Sequence, residues 1–233
     1  MKLAVMQPYL FPYIGYFQLM YAANLFLIYD DVNYIKRGFV NRNNVLSANG
    51  VTRFTVPVPG ASQNKLFCEL EFSDDVDKAL KTIAHCYAKA PYFNDVFPLV
   101  QETLEFGIDS GDRSIAAVCQ KGFESIFAYL GVEKEFKKTS ELDYDREAGP
   151  CERLIALSHK FDADCYINAP GGRKLYDAKD FAEQGLELKF IESLPVEYPQ
   201  GEAEFTPNLS IIDVLMNCSP DEVKRLLQRY QLA

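Results

Sequence analysis

Residues 2–29, KLAVMQPYLFPYIGYFQLMYAANLFLIY, decide the fold class of this chain. The short apolar runs at 2–6 and 25–29 are typical of buried strands. Between them, the almost continuous apolar segment 12–23 begins with a proline and predicts a helix. A strand, a crossover helix and a second strand in succession form the βαβ unit of a parallel sheet.

The rest of the chain continues this alternation after one interruption. Asn49-Gly50 predicts a hairpin turn between strands 44–47 and 51–58, and 65–72 is expected to add a third antiparallel strand. The elements predicted after it are a helix from its cap Ser73 to Pro91, helices 92–106 and 112–130, strand 132–137, helix 151–161, strand 164–168, helix 177–184, strand 186–191, and helices 210–217 and 220–231.

This pattern predicts an α/β, Rossmann-like fold with a mostly parallel sheet, an antiparallel hairpin and an inserted helical subdomain. A length of 233 residues suits one domain with an insert. We expect residues 1–72 to form an N-terminal α/β part with the active site and 73–131 to form the helical insert. Residues 132–233 are then expected to complete the same α/β domain.

Composition excludes several classes of protein. A hydrophobic content of 48% supplies a full core, and a net charge of −9 argues against a general nucleic-acid coat, because phosphates need a positive surface. The N-terminus lacks the pattern of a signal peptide, and no apolar run reaches the length of about 18 residues that a membrane span needs. We therefore expect a cytoplasmic protein without a membrane span.

Cysteine and histidine usage bounds the chemistry further. The six cysteines form no CxxC pair, so they are interpreted as buried thiols of a reducing compartment. With two histidines in the chain, a histidine-rich metal site is not predicted. The sequence indicates no particular cofactor.

A local excess of positive charge is the feature that carries chemistry. Between Val32 and Cys68 there is no Asp or Glu. The five cationic residues there are Lys36, Arg37, Arg42, Arg53 and Lys65. Lys36, Arg37 and Arg42, which we call the basic strip, alternate with the amides of Asn41 and Asn43, and this combination suits a phosphate or a carboxylate. The alternative interpretation is a set of solvated hairpin charges.

The first strand–helix junction is the second feature. A helix beginning near residue 12 directs its free N–H groups at the ligand edge of the sheet, where Gln7, Tyr9 and Tyr13 are also expected. The sequence 13–16, Tyr-Ile-Gly-Tyr, occupies the place of the HxGH signature of class I nucleotidyltransferases. A phenol does not become cationic near neutral pH, which argues against the same chemistry. Core packing is the alternative role for Tyr16.

Asp30 and Asp31 follow a buried strand at the carboxyl edge of the predicted sheet, where open α/β sheets bind ligands. One of them could act as a general base, a metal ligand or an acceptor for a sugar hydroxyl. Adjacent side chains on an extended segment point to opposite faces, so both are not expected at one site. Pairing with Lys36 or Arg42 is the structural alternative. Lys36 could act as a nucleophile if burial lowered its pKa.

Three weaker candidates lie in the C-terminal half. Asp213 and Asn217 are four residues apart on one face of the predicted helix 210–217 and could contact a substrate together. Gln200 lies in a loop where its amide could reach a ligand. The segment 169–174, Ala-Pro-Gly-Gly-Arg-Lys, is a secondary anion-site candidate, with an ordinary tight turn as the alternative.

Four stretches of the chain resemble the motifs of the WbqC-like family in order and spacing. They are MQPYLFPYIGYFQLM at 6–20, YDDVNYIKRGFVNRN at 29–43, KAPYF at 89–93 and LSIIDVLMN at 209–217. This resemblance implies a role in bacterial surface-polysaccharide biosynthesis, since the family's genes lie in O-antigen clusters, and a glycine-transferase role has been proposed for members. The family has no settled catalytic residues. A tryptophan that members often carry near residue 78 is absent here.

We therefore predict a group-transfer enzyme that acts on an activated anionic substrate, such as a nucleotide-linked amino sugar or a carrier-bound aminoacyl group, with an acyl carrier as a possible partner. The predicted catalytic residues are Asp30, Asp31 and Lys36. The predicted substrate-binding residues are Gln7, Tyr9, Tyr13, Tyr34, Arg37, Asn41, Arg42, Asn43, Gln200, Asp213 and Asn217. A degenerate HxGH-type nucleotidyltransferase or ATP-dependent ligase, and a non-catalytic sugar- or partner-binding subunit, remain as alternatives.

Overall fold

The computed structural model describes residues 1–201 and 204–233. Its strands are β1 (Lys2–Met6), β2 (Leu25–Ile28), β3 (Arg42–Ser47), β4 (Gly50–Thr55), β5 (Glu135–Lys138), β6 (Cys165–Asn168), β7 (Glu187–Ser193) and β8 (Tyr230–Leu232). Its helices are α1 (Ile14–Ala22), α2 (Asp77–Tyr87), α3 (Phe93–Glu105), α4 (Ile115–Tyr129), α5 (Pro150–Lys160), α6 (Ala178–Ala182), α7 (Ile211–Asn217) and α8 (Pro220–Leu227).

The main sheet confirms the Rossmann-like prediction. Its six strands lie in the order β5-β2-β1-β6-β7-β8, and all neighbours run parallel except β7 and β8. From β1 the chain first builds outward through β2 to β5, and then returns to the other side through β6 and β7. The order therefore reverses between β1 and β6. In open α/β sheets this switch point, at the carboxyl ends of the strands, is where ligands bind.

Alternating side chains on the strands divide the core into two layers. Leu3 and Val5 of β1 point into the layer covered by α5 and α6, whereas Ala4 points into the larger layer with α1. On β2, Phe26 joins the larger layer. The central strands β1 and β2 are buried on both faces, as their almost uniformly apolar sequences predict.

The predicted helical insert packs into the larger of these layers. Ile83 of α2, Val100 of α3 and Phe123 of α4 belong to the same hydrophobic cluster as Phe17 of α1. The hairpin of β3 and β4 forms a separate two-stranded sheet. The division of the chain at residues 72 and 131 remains a prediction.

Two predicted elements are wrong in type. Segment 65–72 is not a third hairpin strand: it contains a 3₁₀ turn, Phe67–Glu69, and Phe67 and Leu70 are buried at a spacing of three that a strand cannot supply. The last helix ends at Leu227 instead of residue 231. Tyr230–Leu232 is β8, whose backbone pairs with the open edge of β7.

Two predicted helix starts also differ. Helix α2 begins after Val76, and Ser73 accepts a hydrogen bond from the Asp75 N–H instead of capping the helix. Helix α1 begins at Ile14, two residues after Pro12, because the Pro12 carbonyl accepts a hydrogen bond from the Ile211 N–H. No helix within residues 1–201 and 204–233 is long and apolar enough to cross a membrane.

Candidate functional site

The loop that connects β1 to α1, residues 7–13, lies at the switch point, and we call it the switch loop. Phe11 in this loop has a φ of 44°, a left-handed conformation that is costly for a residue with a Cβ. Its carbonyl accepts hydrogen bonds from Asn43 Nδ2 at 2.8 Å and Ser210 Oγ at 2.7 Å, and the Leu10 N–H donates to the Val40 carbonyl at 2.9 Å. These contacts hold the strained loop. Asn43 is buried, and its amide shapes the loop from within.

Two tyrosines of the switch loop present phenols at the surface of this region. Tyr9 is half-buried, and its ring lies 5.8 Å from the ring of the buried Tyr16. The Tyr16 hydroxyl donates to the Gln7 carbonyl, so Tyr16 belongs to the scaffold. Burial raises the pKa of Tyr9 and Tyr13, and their mutual proximity raises that of Tyr9 further. Both side chains are therefore neutral hydrogen-bond donors at physiological pH.

A cleft of about 350 Å³ opens beside Tyr13, between the start of α1 and the carboxyl ends of β6 and β7. Its lining includes Tyr13, Gly15, Ala169 and Ser193. A Cβ at position 15 would lie 2.4 Å from the Tyr13 ring and 3.1 Å from Ser193 Oγ. Gly15 thus lets the Tyr13 ring lie against the first turn of α1.

Asp31 belongs to a group of polar side chains that we call the carboxylate cluster: Asp30, Asp31, Thr139, Ser140, Tyr144 and Arg146. Asp31 Oδ1 accepts a hydrogen bond from Thr139 Oγ1 at 2.6 Å. Asp31 Oδ2 accepts from the Tyr144 hydroxyl and from Arg146 Nε, both at 2.8 Å. The carboxylate is buried, and its charge is balanced by an arginine that follows β5.

Asp30 is bound from the same turn. Its Oδ1 accepts from the Ser140 N–H at 2.9 Å, and its Oδ2 accepts from Ser140 Oγ at 2.7 Å. Burial raises the pKa of Asp30, while the hydrogen bonds from Ser140 act in the opposite direction. Ser140, which holds Asp30 through both its backbone N–H and its hydroxyl, is itself half-buried.

The structure corrects two expectations about these carboxylates. Thr139 Oγ1 lies 2.6 Å from Asp31 Oδ1 and 3.2 Å from Asp30 Oδ1, so the two side chains converge instead of pointing apart. The reason is that β2 ends at Ile28 and the chain turns directly after it. The cationic partner of Asp31 is Arg146, and neither Lys36 nor Arg42 forms an ion pair with either carboxylate.

The basic strip follows in the same loop and is arranged differently. Lys36 and Arg37 are exposed, and Arg37 has a left-handed φ of 63°. Arg42 is half-buried, and its Nε donates to the Gly38 carbonyl at 2.9 Å. Within the part of the chain that the structure describes, none of the three forms an ion pair. Lys36 also lacks the burial that a lysine nucleophile needs.

Two further predicted ligand-binding residues anchor this loop. Tyr34 is buried with its ring 5.4 Å from that of Phe67, and burial raises its pKa while the nearby Arg42 lowers it. Asn41 Nδ2 donates to the Val56 carbonyl at 2.7 Å. The fold therefore uses both side chains to hold the loop that carries the basic strip.

The C-terminal candidates form a separate buried network. Asp213 is fully buried, and its carboxylate accepts from the hydroxyls of Tyr87 at 2.6 Å and Tyr198 at 2.8 Å, and from Gln200 Nε2 at 2.8 Å. Burial and Asp213 together raise the pKa of both tyrosines, which keeps them protonated. Asn217 donates to the Asp213 backbone carbonyl within α7 and does not touch its carboxylate.

One of the two cations in the secondary anion candidate at 169–174, Arg173, is paired within the protein. Arg173 forms an ion pair with Glu192 at 2.6 Å and lies over the ring of Phe190. Among the residues with described positions, no group of three or more His, Cys, Asp or Glu side chains is placed to hold a metal ion.

The predicted site thus separates into internal networks and a rim whose side chains form no ion pair with a described residue. The rim consists of Tyr9, Tyr13 and the basic strip, joined by the backbone hydrogen bond between Leu10 and Val40. Sequence reasoning missed four members of the carboxylate cluster: Thr139, Ser140, Tyr144 and Arg146. Ligands bind at the carboxyl ends of parallel strands, so Thr139 and Ser140, which directly follow β5, could have been found by this rule. No local sequence pattern marks Tyr144 or Arg146.

Comparison with known proteins supports the resemblance drawn from the motifs. Residues 7–225 match the model of the WbqC-like protein family. The chain is also similar to the uncharacterized protein Rv1507c of Mycobacterium tuberculosis, with 27% identity over 220 residues, which are 93% of each chain. No solved structure matches this chain significantly.

Proposed function

The chain belongs to the WbqC-like protein family, and from that premise we propose that it is a group-transfer enzyme acting on an anionic, nucleotide-linked sugar. The observation that carries the proposal is the basic strip. Three cationic side chains lie beside the switch loop of a protein with a net charge of −9, and they form no ion pair with a described residue. A planar guanidinium and an ammonium together suit a diphosphate.

The position of the strip supports this assignment. Val40, two residues before Arg42, is hydrogen-bonded to Leu10 of the switch loop, and this bond supports a placement of the cations along the carboxyl edge of the sheet. Phosphates held there would direct the attached sugar toward the cleft beside Tyr13. The neutral phenols of Tyr9 and Tyr13 would donate hydrogen bonds to sugar or phosphate oxygens.

In the proposed reaction the sugar amine attacks the carbonyl carbon of a glycyl thioester, the new amide bond replaces the C–S bond, and the carrier leaves as a thiolate. Asp30 accepts the proton that the amine loses and returns it to the departing thiolate. Burial raises the pKa of Asp30 toward the range in which a carboxylate accepts a proton efficiently, and Asp30 accepts a hydrogen bond from the hydroxyl of the half-buried Ser140. In this proposal Asp31, neutralised by Arg146, positions the 139–140 turn. We further propose that the transferred group is glycyl and that it passes from a carrier to an amino sugar of a surface polysaccharide. The reaction would take place in the cytoplasm, and this part of the proposal rests on family membership.

The test measures binding of pyrophosphate and of UDP-N-acetylglucosamine by calorimetry. Lys36→Ala and Arg37→Ala, singly and together, are compared with Lys78→Ala, an exposed lysine on α2 outside the strip. We expect each strip variant to weaken both affinities about tenfold or more, since charge-assisted contacts to phosphate are lost. Affinities that stay unchanged in the double variant, or a wild-type protein that binds neither compound, would contradict the proposal.

A non-catalytic binding subunit is the second candidate, and one observation favours it: the carboxylate oxygens of Asp30 and Asp31 all accept internal hydrogen bonds. The two roles differ in turnover. Incubation of UDP-glucosamine with a glycyl thioester, followed by mass spectrometry, detects a product from the enzyme and none from Asp30→Asn. Tight binding without a product would favour the subunit.

The nucleotidyltransferase alternative gains no support from the geometry. The Tyr16 hydroxyl, at the place of the second imidazole of an HxGH site, is buried and donates to the Gln7 carbonyl. Tyr13 at the first place is exposed and has a raised pKa, so it offers a neutral donor instead of a cation.

A further inference from the structure

Phe39 is an exposed aromatic side chain within the loop of the basic strip. It is 46% exposed, whereas Tyr34 and Val40 in the same loop are buried. A single exposed phenylalanine is common on protein surfaces and carries no meaning alone. Here it lies in sequence between Arg37 and Arg42, so a ring and three cations share one short loop.

The backbone around Phe39 is fixed on both sides. Arg37 adopts a left-handed φ of 63°, and Arg42 Nε donates to the Gly38 carbonyl at 2.9 Å, which closes the turn. Val40 then connects to the switch loop through its hydrogen bond with Leu10. The loop therefore presents its ring from a restrained turn beside the ligand edge of the sheet.

We propose that Phe39 is the stacking platform for the base of a nucleotide whose phosphates bind the basic strip. The assignment of Phe39 rests on the proposed function, and it identifies the ligand of the basic strip as a nucleoside diphosphate derivative. Every nucleobase has an apolar face that stacks on an aromatic ring, and arginine side chains extend such a platform. The phosphates, attached to the other side of the ribose, then reach Lys36 and Arg37, while the sugar beyond them points to the cleft beside Tyr13.

A basic loop with an aromatic residue also suits an anionic membrane surface. Recognition of anionic lipids by basic clusters typically uses about four to eight Lys or Arg residues, more than the strip contains. The hydrogen bond of Val40 to the switch loop also places Phe39 next to the sheet's ligand edge. These observations favour a nucleotide, and vesicle binding becomes an outcome of the test.

The absence of tryptophan in this chain makes the first measurement direct. Phe39→Trp introduces one indole whose emission reports on stacking, and Val51→Trp is the control, because Val51 is 55% exposed next to the hairpin turn, four ladder positions from Arg42. We expect UDP to quench the emission of Phe39→Trp and to leave that of Val51→Trp unchanged. Pyrophosphate, which has no base, is expected to quench neither variant.

The second measurement separates stacking from phosphate binding. We expect Phe39→Ala to weaken UDP affinity about 5- to 150-fold, as loss of one base–aromatic stack does, with pyrophosphate affinity unchanged. Phe39→Tyr, which keeps a ring, should restore UDP binding. If Phe39→Ala leaves UDP affinity intact while Lys36→Ala weakens it, stacking is refuted and the proposed function stands. If the wild-type protein binds neither UDP nor pyrophosphate, both fail.

The third measurement addresses the membrane. Sedimentation with phosphatidylglycerol vesicles compares the wild-type protein with Phe39→Ala. Binding to vesicles that Phe39→Ala abolishes, together with UDP affinity that it leaves unchanged, would overturn the nucleotide assignment in favour of a lipid surface. No vesicle binding by the wild-type protein, with the expected loss of UDP affinity, supports the nucleotide.

Discussion

Asp30 and Asp31 of the carboxylate cluster and the three cations of the basic strip lie within residues 30–42, and their charges have opposite surroundings. In the cluster, Asp30 and Asp31 are buried, and every carboxylate oxygen accepts a hydrogen bond from within the protein. In the strip, Lys36 and Arg37 are exposed and form no ion pair with a described residue. Buried charge requires internal compensation, whereas exposed cations remain free for an external anion. The surroundings of a charged residue, more than its type, distinguish the structural role of Asp31 from the binding role proposed for Lys36 and Arg37.

Asp213 extends this comparison and carries the largest expected effect. Its buried carboxylate accepts hydrogen bonds from the hydroxyls of Tyr87 and Tyr198 and from the Gln200 amide. Because these three donors would lose their acceptor in a buried site, we expect Asp213→Ala to lower the free energy of unfolding by about 4 kcal/mol. Urea unfolding measures this, with the exposed Asp109→Ala as a control that should show no change. If the Asp213→Ala variant is as stable as the wild-type protein but no longer binds UDP, Asp213 is a ligand-binding residue and not a structural one.

Asp31 tests the cluster itself. Asp31→Ala removes the ion-pair partner of Arg146 and the acceptor of the Thr139 and Tyr144 hydroxyls, so we expect a loss of about 2–3 kcal/mol in unfolding free energy. Exposed Asp143→Ala serves as the control in the same unfolding experiment. A change no larger than that of the control would show that the cluster is not structural.

The pH dependence of the free energy of unfolding tests the raised pKa of Asp30. A carboxyl whose pKa is raised by folding binds its proton more tightly in the folded state. Its contribution to stability is therefore fully present below the unfolded pKa of 3.8 and is lost as pH rises through the higher folded pKa. We expect the wild-type protein to gain stability relative to Asp30→Asn when unfolding is measured at pH 4 instead of pH 7. A difference that shrinks on acidification would contradict the direction of the shift.

The smallest effect is expected in the strip. Lys36→Ala should change the free energy of unfolding by less than about 0.5 kcal/mol, because no described partner loses a contact. Arg42→Ala should cost about 1 kcal/mol through the lost hydrogen bond to Gly38. Thermal unfolding of the two variants side by side tests this order. If Lys36→Ala lowers the free energy of unfolding as much as Asp31→Ala does, the basic strip and the carboxylate cluster do not differ in structural role.

The fold was largely predictable because its signals are local. The apolar runs of β1 and β2 and the helix between them were recognisable within residues 2–29, and the later alternation implied further parallel strands. The edge strand β8 was missed because it exists only through pairing with β7, which no local pattern records. For the same reason, segment 65–72 was predicted as a strand that has no continuous partner.

The candidate site was predictable only in part. The location of Asp30 and Asp31 at the end of β2 followed from the strand, but their partners did not. Thr139 is 108 residues from Asp31 in the chain, and the two meet because β5 pairs with β2. Motif residues such as Asn41 and Asn43 also could not be assigned from sequence, since an amide that binds a ligand and one that holds a loop look identical there.

The carbonyl of Phe11 has a consequence for the order of events during biosynthesis. Its two donors, Asn43 and Ser210, are 32 and 199 residues further along the chain. At a translation rate of about 5–20 residues per second, roughly 10–40 s separate the synthesis of Phe11 from that of Ser210. The left-handed turn at Phe11 therefore acquires its second donor only after 199 further residues have been synthesised. A nascent chain that already holds β1, α1 and β2 therefore still lacks one of the two donors that hold the switch loop.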